Sequence, residues 1–427
     1  MPGPPSDPAA AREFAGEVVA RLRGAGHEAY WAGGCVRDDL LGRTPADYDV
    51  ATSGRPEQVR ALFGHRRTLA VGAAFGVITV LGPRGAGQVE VATFRADEAY
   101  TDGRHPARVT FCSAREDARR RDFTINGLFL DPATGEVHDF VGGRDDLAAG
   151  VVRAIGVPAL RFGEDHLRML RAVRFTAFFG FVLDADTRAA IEQMTHLVAG
   201  VSPERVAAEL RTMVSRVGRR RALELLEETG LAREVLVEVA PGPGQPAARR
   251  EAWAVAARVV DALDEPDLPL ALAALAADAA GDVIPRMAAR LRLSTREAKK
   301  AAWLHGVVAE IGGATAATLR SRAWSRVQPL VAHEHAAALA DLLRARADCG
   351  RGDAAAAAWI TAQVSRPRAE LDPPSLVSGD DLLAAGMPGG PAIGAALARI
   401  RGLQLDGVIG TRDEALAAAR QSACDRT

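Results

Sequence analysis

Phe14, Val18, Val19 and Leu22 recur at helical spacing and predict an amphipathic helix ending near Arg23. Ala29-Tyr30-Trp31-Ala32 reads as a short strand leading into the glycine pair Gly33-Gly34, and Arg37 to Leu41 as the helix after it. In Asp47-Tyr48-Asp49-Val50, acidic and apolar side chains alternate. A strand there puts Asp47 and Asp49 on one face and sends Tyr48 and Val50 into a core. Pro56-Glu57 opens a further helix. The β-rich runs from Phe75 to Leu81 and from Gln88 to Phe94 flank Gly82-Pro83-Arg84-Gly85, a hairpin signal. Residues 96–109 lack strand periodicity and predict a long loop. Beyond residue 157 the strand signal fades into helical patterns, with loops expected at Pro241 to Pro246 and Pro367 to Pro374. The pattern therefore predicts an α+β fold: a small mixed sheet with helices to about residue 150, then a long helical arm. The Pro-rich residues 1–11 are expected to be disordered.

With 427 residues the chain exceeds one ordinary domain, and a hydrophobic fraction of 48% is ample for packed cores. The net charge of −1 excludes a globally basic nucleic-acid binder, so any such surface must be local. Arginine clusters at Arg115, Arg119, Arg120 and Arg121, at Arg161, Arg168, Arg171 and Arg174, and at Arg216, Arg219, Arg220 and Arg221 are candidates, each also readable as a solvated helix face. Cys35, Cys112, Cys349 and Cys424 show no C-x-x-C spacing, which argues against a zinc site or a disulfide framework and fits a reducing cytoplasm. No signal peptide or membrane-spanning run is expected.

Two carboxylates on one strand face repel unless a cation lies between them. Oxygen-only ligands suit Mg²⁺, which takes one or two carboxylates together with substrate phosphates. Gly33 and Gly34 let backbone N–H groups approach a phosphate, and Arg37 adds charge. Asp47 and Asp49 with Gly34 and Arg37 thus read as a site for a metal-bound nucleoside triphosphate. Glu90, on the polar side of its strand between Val89 and Val91, is either a third acidic catalytic group or an exposed strand glutamate.

The run Gly33-Gly34-Cys35-Val36-Arg37-Asp38 followed by Asp47-Tyr48-Asp49-Val50-Ala51-Thr52 resembles the signature of class II tRNA nucleotidyltransferases and bacterial poly(A) polymerases. Arg120-Arg121-Asp122-Phe123-Thr124-Ile125-Asn126 and Glu164-Asp165-His166-Leu167-Arg168 resemble the same family, in the same order. The resemblance implies a polymerase-β-like nucleotidyltransferase head at residues 12–150, a nucleotide-reading neck at 151–215, a helical body at 216–300 and a helical tail at 301–427 that holds a tRNA acceptor stem. It further implies attack of the tRNA 3′-hydroxyl on CTP or ATP with two Mg²⁺ ions. Addition of A alone, or of poly(A), is the near alternative, and an inactive RNA-binding protein on the same scaffold a remote one. Arg121 is implied to contact the nucleotide, with Asp122 and Asn126 near the ribose, and Arg171 and Arg174 add nucleotide contacts. Asp165 and Arg168 are implied to read the base. An Asp acceptor beside an Arg donor complements the amino and ring-nitrogen edges of both cytosine and adenine, whereas uracil and guanine present the reverse order. The competing reading of Asp165, Arg168, Arg171 and Arg174 is an ion-pair ladder on one helix. The segment around Glu98 to Arg104 is implied to switch the site from C to A addition. Two departures stand out: the family's usual Asn-Ala is Asn126-Gly127 here, and its Asp-Pro-Phe-Gly-Gly turn is Asp139-Phe140-Val141-Gly142-Gly143.

Overall fold

In the computed structural model, which describes residues 7–97, 109–242, 244 and 246–424, the chain divides into two compact units, Met1–Gly242 and Pro243–Thr427. The division falls within the Pro/Gly loop that the sequence marks.

The first unit opens with α1 (Pro8–Gly24), capped by the Asp7 carboxylate, which accepts from the backbone N–H groups of Ala9 and Ala10 at 2.9 and 3.1 Å. The helix therefore starts inside the stretch expected to be disordered, because a capping Asp and a Pro in the first turn favour initiation. Its buried stripe of Phe14, Val18, Val19 and Leu22 is the one the spacing predicts, and it packs on β1 (Ala29–Ala32) and β2 (Tyr48–Thr52). Between these strands lies α2 (Gly34–Leu40), which begins at the second glycine rather than at Arg37. Then come α3 (Pro56–Phe63), β3 (Thr68–Leu69), β4 (Val77–Leu81) and β5 (Gln88–Thr93). Further on, β8 (Leu128–Leu130) and β9 (Val137–Asp139) complete a seven-stranded sheet of order β3-β4-β5-β2-β1-β8-β9. Only β2 and β5 run parallel among these neighbours, with Asp49 opposite Glu90.

Before β8, a separate ribbon pairs β6 (Arg95–Asp97) with β7 (Val109–Phe111), followed by α4 (Ala114–Arg119). The flanks of the expected loop are thus strands, short enough that alternation gave no signal. The segment from Glu98 to Arg104 lies outside the described residues. After β9, α5 (Gly143–Ala149) and β10 (Val151–Val152) lead to α6 (Pro158–Glu164) and α7 (Leu167–Phe179). The unit ends with β11 (Val182–Leu183), which pairs with β10, and α8 (Ala185–Met194), α9 (Pro203–Val214), α10 (Arg219–Glu228) and α11 (Ala232–Val235).

The two departures from the family pattern meet in space. A Cβ built on Gly127 would lie 2.6 Å from Val141 Cγ2 and 3.2 Å from Ile155 Cδ1. Val141 fills the volume that an alanine at 127 would need. Its own turn is held by the Asp139 carboxylate, which accepts from the N–H groups of Val141, Gly142, Gly143 and Arg144. Gly127→Ala is therefore expected to cost about 1–3 kcal/mol through overpacking, and adding Val141→Ala should recover most of that loss. Equal destabilisation by Gly127→Ala with and without Val141→Ala, in denaturant titrations, would show that the two positions do not compensate.

The second unit is helical, from Ala247–Ala262 to Arg412–Cys424. Every residue of the helix Leu268–Leu275 is buried, so this alanine-rich run is core. Thr295–Ile311 begins with a capping box in which Ser294 and Glu297 satisfy each other's backbone N–H groups. A short helix, Arg368–Leu371, interrupts the loop expected after Pro367. No helix among the described residues is long and apolar enough to cross a membrane.

Candidate active site

Asp47, Asp49, Gly33, Gly34, Arg37, Arg120, Arg121, Asp122, Asn126, Asp165, Arg168, Arg171, Arg174 and Phe175 line one cleft of about 580 Å³. Residues from three distant stretches of the sequence thereby meet, and of the candidate residues only Glu90 lies off the lining.

Local chain geometry builds the cleft. Asp47, just before β2, and Asp49, within it, are exposed while Tyr48 and Val50 are buried, as alternation requires. Tyr48 packs on Trp31 with ring centroids 4.8 Å apart. Although Asp49 opens onto the cleft, the protein around it withdraws water. This burial, with the negative charges of Asp47 and Glu90, pushes its carboxyl up to about 7 against the opposing pull of Arg121. Glu90 is exposed and sits directly across from Asp49 on the neighbouring strand. Among the described residues no group of three or more His, Cys, Asp or Glu side chains is gathered to hold a metal by itself. The donor set is therefore a pair of crowded, electrostatically strained carboxylates, a fit for a hard divalent cation whose remaining ligands come from phosphate and water.

Gly33 has φ 76°, and a Cβ there would lie 2.8 Å from Arg121 Nη1. Glycine thus both permits the left-handed turn and lets the guanidinium lie against the backbone. Arg121 is oriented by Asp117, to whose Oδ2 its Nε and Nη2 donate at 3.3 and 3.0 Å. Burial alone would raise the Asp117 carboxyl, yet Arg121 and Arg120 together hold it below its ordinary value. Arg37 is buried and largely committed: Nη1 donates to Asn126 Oδ1 at 2.6 Å, and Nε and Nη2 donate to Asp38 at 2.9 and 2.8 Å. Asn126 in turn donates to Asp122 Oδ1 at 3.0 Å.

Asp165 does not lie on the helix that carries the arginines. It is extended, with φ −150° and ψ 105°, and joins α6 to α7. An unbroken helical ladder is therefore excluded, and the expected Asp165–Arg168 pair is replaced by separate supports. Asp165 receives a two-pronged donation from Arg205 of α9, at 3.2 and 2.7 Å. Arg168 donates through Nη1 to the Arg161 carbonyl at 2.9 Å and to Glu164, and through Nη2 to the Arg120 carbonyl at 3.2 Å. Of its five N–H groups, Nε–H and one on Nη2 stay unused among the described residues. Arg171 rests on Asp122 at 2.7–2.8 Å and Arg174 on Glu209 at 2.6 Å. Asp122 is buried, which by itself would raise its carboxyl, but Arg171, Asn126 and Arg168 hold it down at about 2. Its negative charge is thus fixed across the physiological range.

Sequence reasoning missed Arg205, Glu209, Glu164 and Asp117 as organisers of the cleft. Ser202-Pro203-Glu204-Arg205 signals a helix start, and an Arg and a Glu four residues apart on one helix, Arg205 and Glu209, offered a hint. Which arginine or aspartate each one meets depends on how α9 packs on α7.

The head-domain model of poly(A) polymerase matches residues 29–153 of this chain, and the probable RNA- and SrmB-binding region of the same polymerase matches residues 180–242. The CCA-adding enzyme of Geobacillus stearothermophilus is 41% identical over 249 residues, 56% of this chain and 60% of that one. That of Bacillus subtilis is 43% identical over 219 residues, covering 51% and 54%. The matched stretch thus spans little more than half the length of these relatives. The solved Bacillus stearothermophilus CCA-adding enzyme in complex with CTP superposes with a TM-score of 0.77 at 29% identity, covering 97% of this chain and 98% of the other. The Thermotoga maritima CCA-adding enzyme shares the fold at a TM-score of 0.64 and 20% identity, over 96% of this chain and 95% of that one. The paired aspartates, the Arg-Arg-Asp turn and the Glu-Asp-x-x-Arg corner are assembled in one cleft, and the head-domain and RNA-binding models of poly(A) polymerase match in order, so over these stretches the chain is similar to the CCA-adding enzymes and poly(A) polymerases.

Proposed function

We propose that this protein adds C, C and A to the 3′ end of tRNA from CTP and ATP, releasing pyrophosphate, without a nucleic-acid template. The observation that carries the reading is the convergence of the Asp47–Asp49 pair and the Asp165–Arg168 corner on one cleft. Relatives at 41–43% identity are CCA-adding enzymes, and one solved relative holds CTP.

Asp47 and Asp49 are the residues that would hold Mg²⁺, and Glu90 is the acidic neighbour that helps keep the Asp49 carboxyl raised. Bound there, Mg²⁺ neutralises charge on the triphosphate and on the attacking and leaving oxygens. The chain's own residues do the rest. Arg121, pressed against Gly33 and held by Asp117, meets the triphosphate oxygens. Arg37 fixes Asn126, and Asn126 with Asp122 sets the ribose side. Asp165, steadied by Arg205, accepts from the amino group of cytosine or adenine, while the free Nε–H edge of Arg168 donates to the adjacent ring nitrogen. Arg171 and Arg174 add positive charge along the nucleotide. The acceptor 3′-oxygen forms a bond to the α-phosphorus as the bond to the pyrophosphate oxygen breaks. Along the chain we assign the head to residues 12–150, the neck to 151–215, the body to 216–300 and the tail, which takes the acceptor stem, to 301–427. The free thiols Cys35 and Cys349 support a reducing, cytoplasmic setting.

Pyrophosphate release tests the reaction itself. It is expected with CTP or ATP only when Mg²⁺ and an RNA bearing a free 3′-hydroxyl are both present. Release that persists with a 3′-deoxy-terminated RNA would mean the enzyme hydrolyses nucleotides instead.

A further inference from the structure

A row of aromatic rings leads out of the cleft. Phe175 lines it beside Arg174, whose Cζ lies 4.3 Å from the ring centroid. Phe179 stacks on Phe175 at 6.1 Å with 15° between planes, and Phe178 meets Phe179 edge to face at 4.9 Å. Phe175 is buried, whereas Phe178 and Phe179 are half-exposed at the end of α7. Two exposed arginines close the row. Arg43, in the turn between α2 and β2, lies 5.3 and 5.1 Å from the Phe178 and Phe179 rings, and Arg216, just after α9, lies 5.2 Å from Phe178. Unlike those of Arg168, Arg171 and Arg174, neither guanidinium has a carboxylate partner or a hydrogen bond among the described residues.

We propose that Arg43, Arg216 and the Phe178–Phe179 pair form a track for the 3′-terminal single strand of the acceptor RNA, with the guanidiniums on its phosphates and a ring under one of its bases. The inference rests on the nucleotide-addition reading and specifies how that site takes its acceptor. Single-strand sites pair a cationic groove with aromatic platforms, because every base has a π-face and every nucleotide a phosphate. A guanidinium already resting on a ring is pre-organised for this, and its charge is not cancelled. Position also matters. Arg43 stands four residues before Asp47, so a strand held there is delivered to the paired aspartates.

The test is the double variant Arg43→Gln/Arg216→Gln in steady-state addition to an RNA acceptor, with Arg43→Lys/Arg216→Lys beside it. The Gln variant should show a KM for RNA raised about tenfold and a slope of log KM against log salt lower by about 1.4, one phosphate contact per arginine. Its KM for CTP and its Tm should match the parent. The Lys variant should keep the parent's salt slope. A Gln variant with parental RNA KM and salt slope overturns the track, as does one in which RNA KM, CTP KM and Tm all worsen together, the mark of a merely structural role. If the parent itself adds no nucleotide, the addition reading fails. In that case anisotropy of a labelled single-stranded RNA decides the track, which falls if parent and Gln variant bind alike.

Discussion

Asp49→Asn is expected to lower nucleotide addition by at least about a thousandfold while making the metal-free protein more heat-stable at pH 8. The first effect follows from losing one of two carboxylates for the cation. The second follows from the raised carboxyl, at about 7. An acid whose folded pKa exceeds its unfolded value near 4 contributes stability fully below the unfolded value and loses it as pH rises through the folded one. At pH 8 the folded parent must keep Asp49 ionised beside Asp47 and Glu90, whereas the variant does not. Melting scans in chelator should place the variant above the parent at pH 8, with the gap shrinking toward pH 5. Added Mg²⁺ should raise the parent's Tm and leave the variant's nearly unmoved. Addition within tenfold of the parent would remove Asp49 from the metal site, and a pH-independent gap in Tm would remove the electrostatic account of its strain.

Asp165→Ala should collapse the preference for CTP and ATP over UTP by about one to two orders of magnitude, because a site built to hydrogen-bond a base loses its acceptor. Arg168→Ala should do the same from the donor side, and both should leave RNA binding nearly unchanged. Arg205→Gln acts in the same direction with a smaller effect, since it loosens Asp165 without touching the base, and Arg205→Lys should recover part of it. The measurement is kcat/KM for each nucleotide on one acceptor. Unchanged ratios for Asp165→Ala and Arg168→Ala would reduce these residues to the ion pairs they make with Arg205 and Glu164.

The head was largely legible because its signals are local. Alternation places Tyr48 and Val50 inside and Asp47 and Asp49 outside, and the stripe of Phe14, Val18, Val19 and Leu22 needs only the helical period. Glu90 could be nominated from its strand, but its register opposite Asp49 comes from a parallel pairing that no local pattern encodes. The Asp165–Arg168 spacing by itself predicts one helix. The chain breaks at Asp165 because the turn between α6 and α7 is fixed by tertiary contacts, Arg205 on the carboxylate and Arg120's carbonyl on Arg168. Compensation of Gly127 by Val141 joins positions fourteen residues apart in sequence and 2.6 Å from a would-be Cβ, so neither departure explained itself alone. Short β6 and β7 carry too few residues for a period to emerge.

Whether one protein cleft chooses C, then C, then A without a template is read from the sizes of the products formed on a tRNA that ends just before CCA. The expected products are longer by two nucleotides with CTP alone, by none with ATP alone and by three with both, with no further growth at long times. A heterogeneous A tail with ATP alone, or extension with UTP as efficient as with CTP, would contradict that choice.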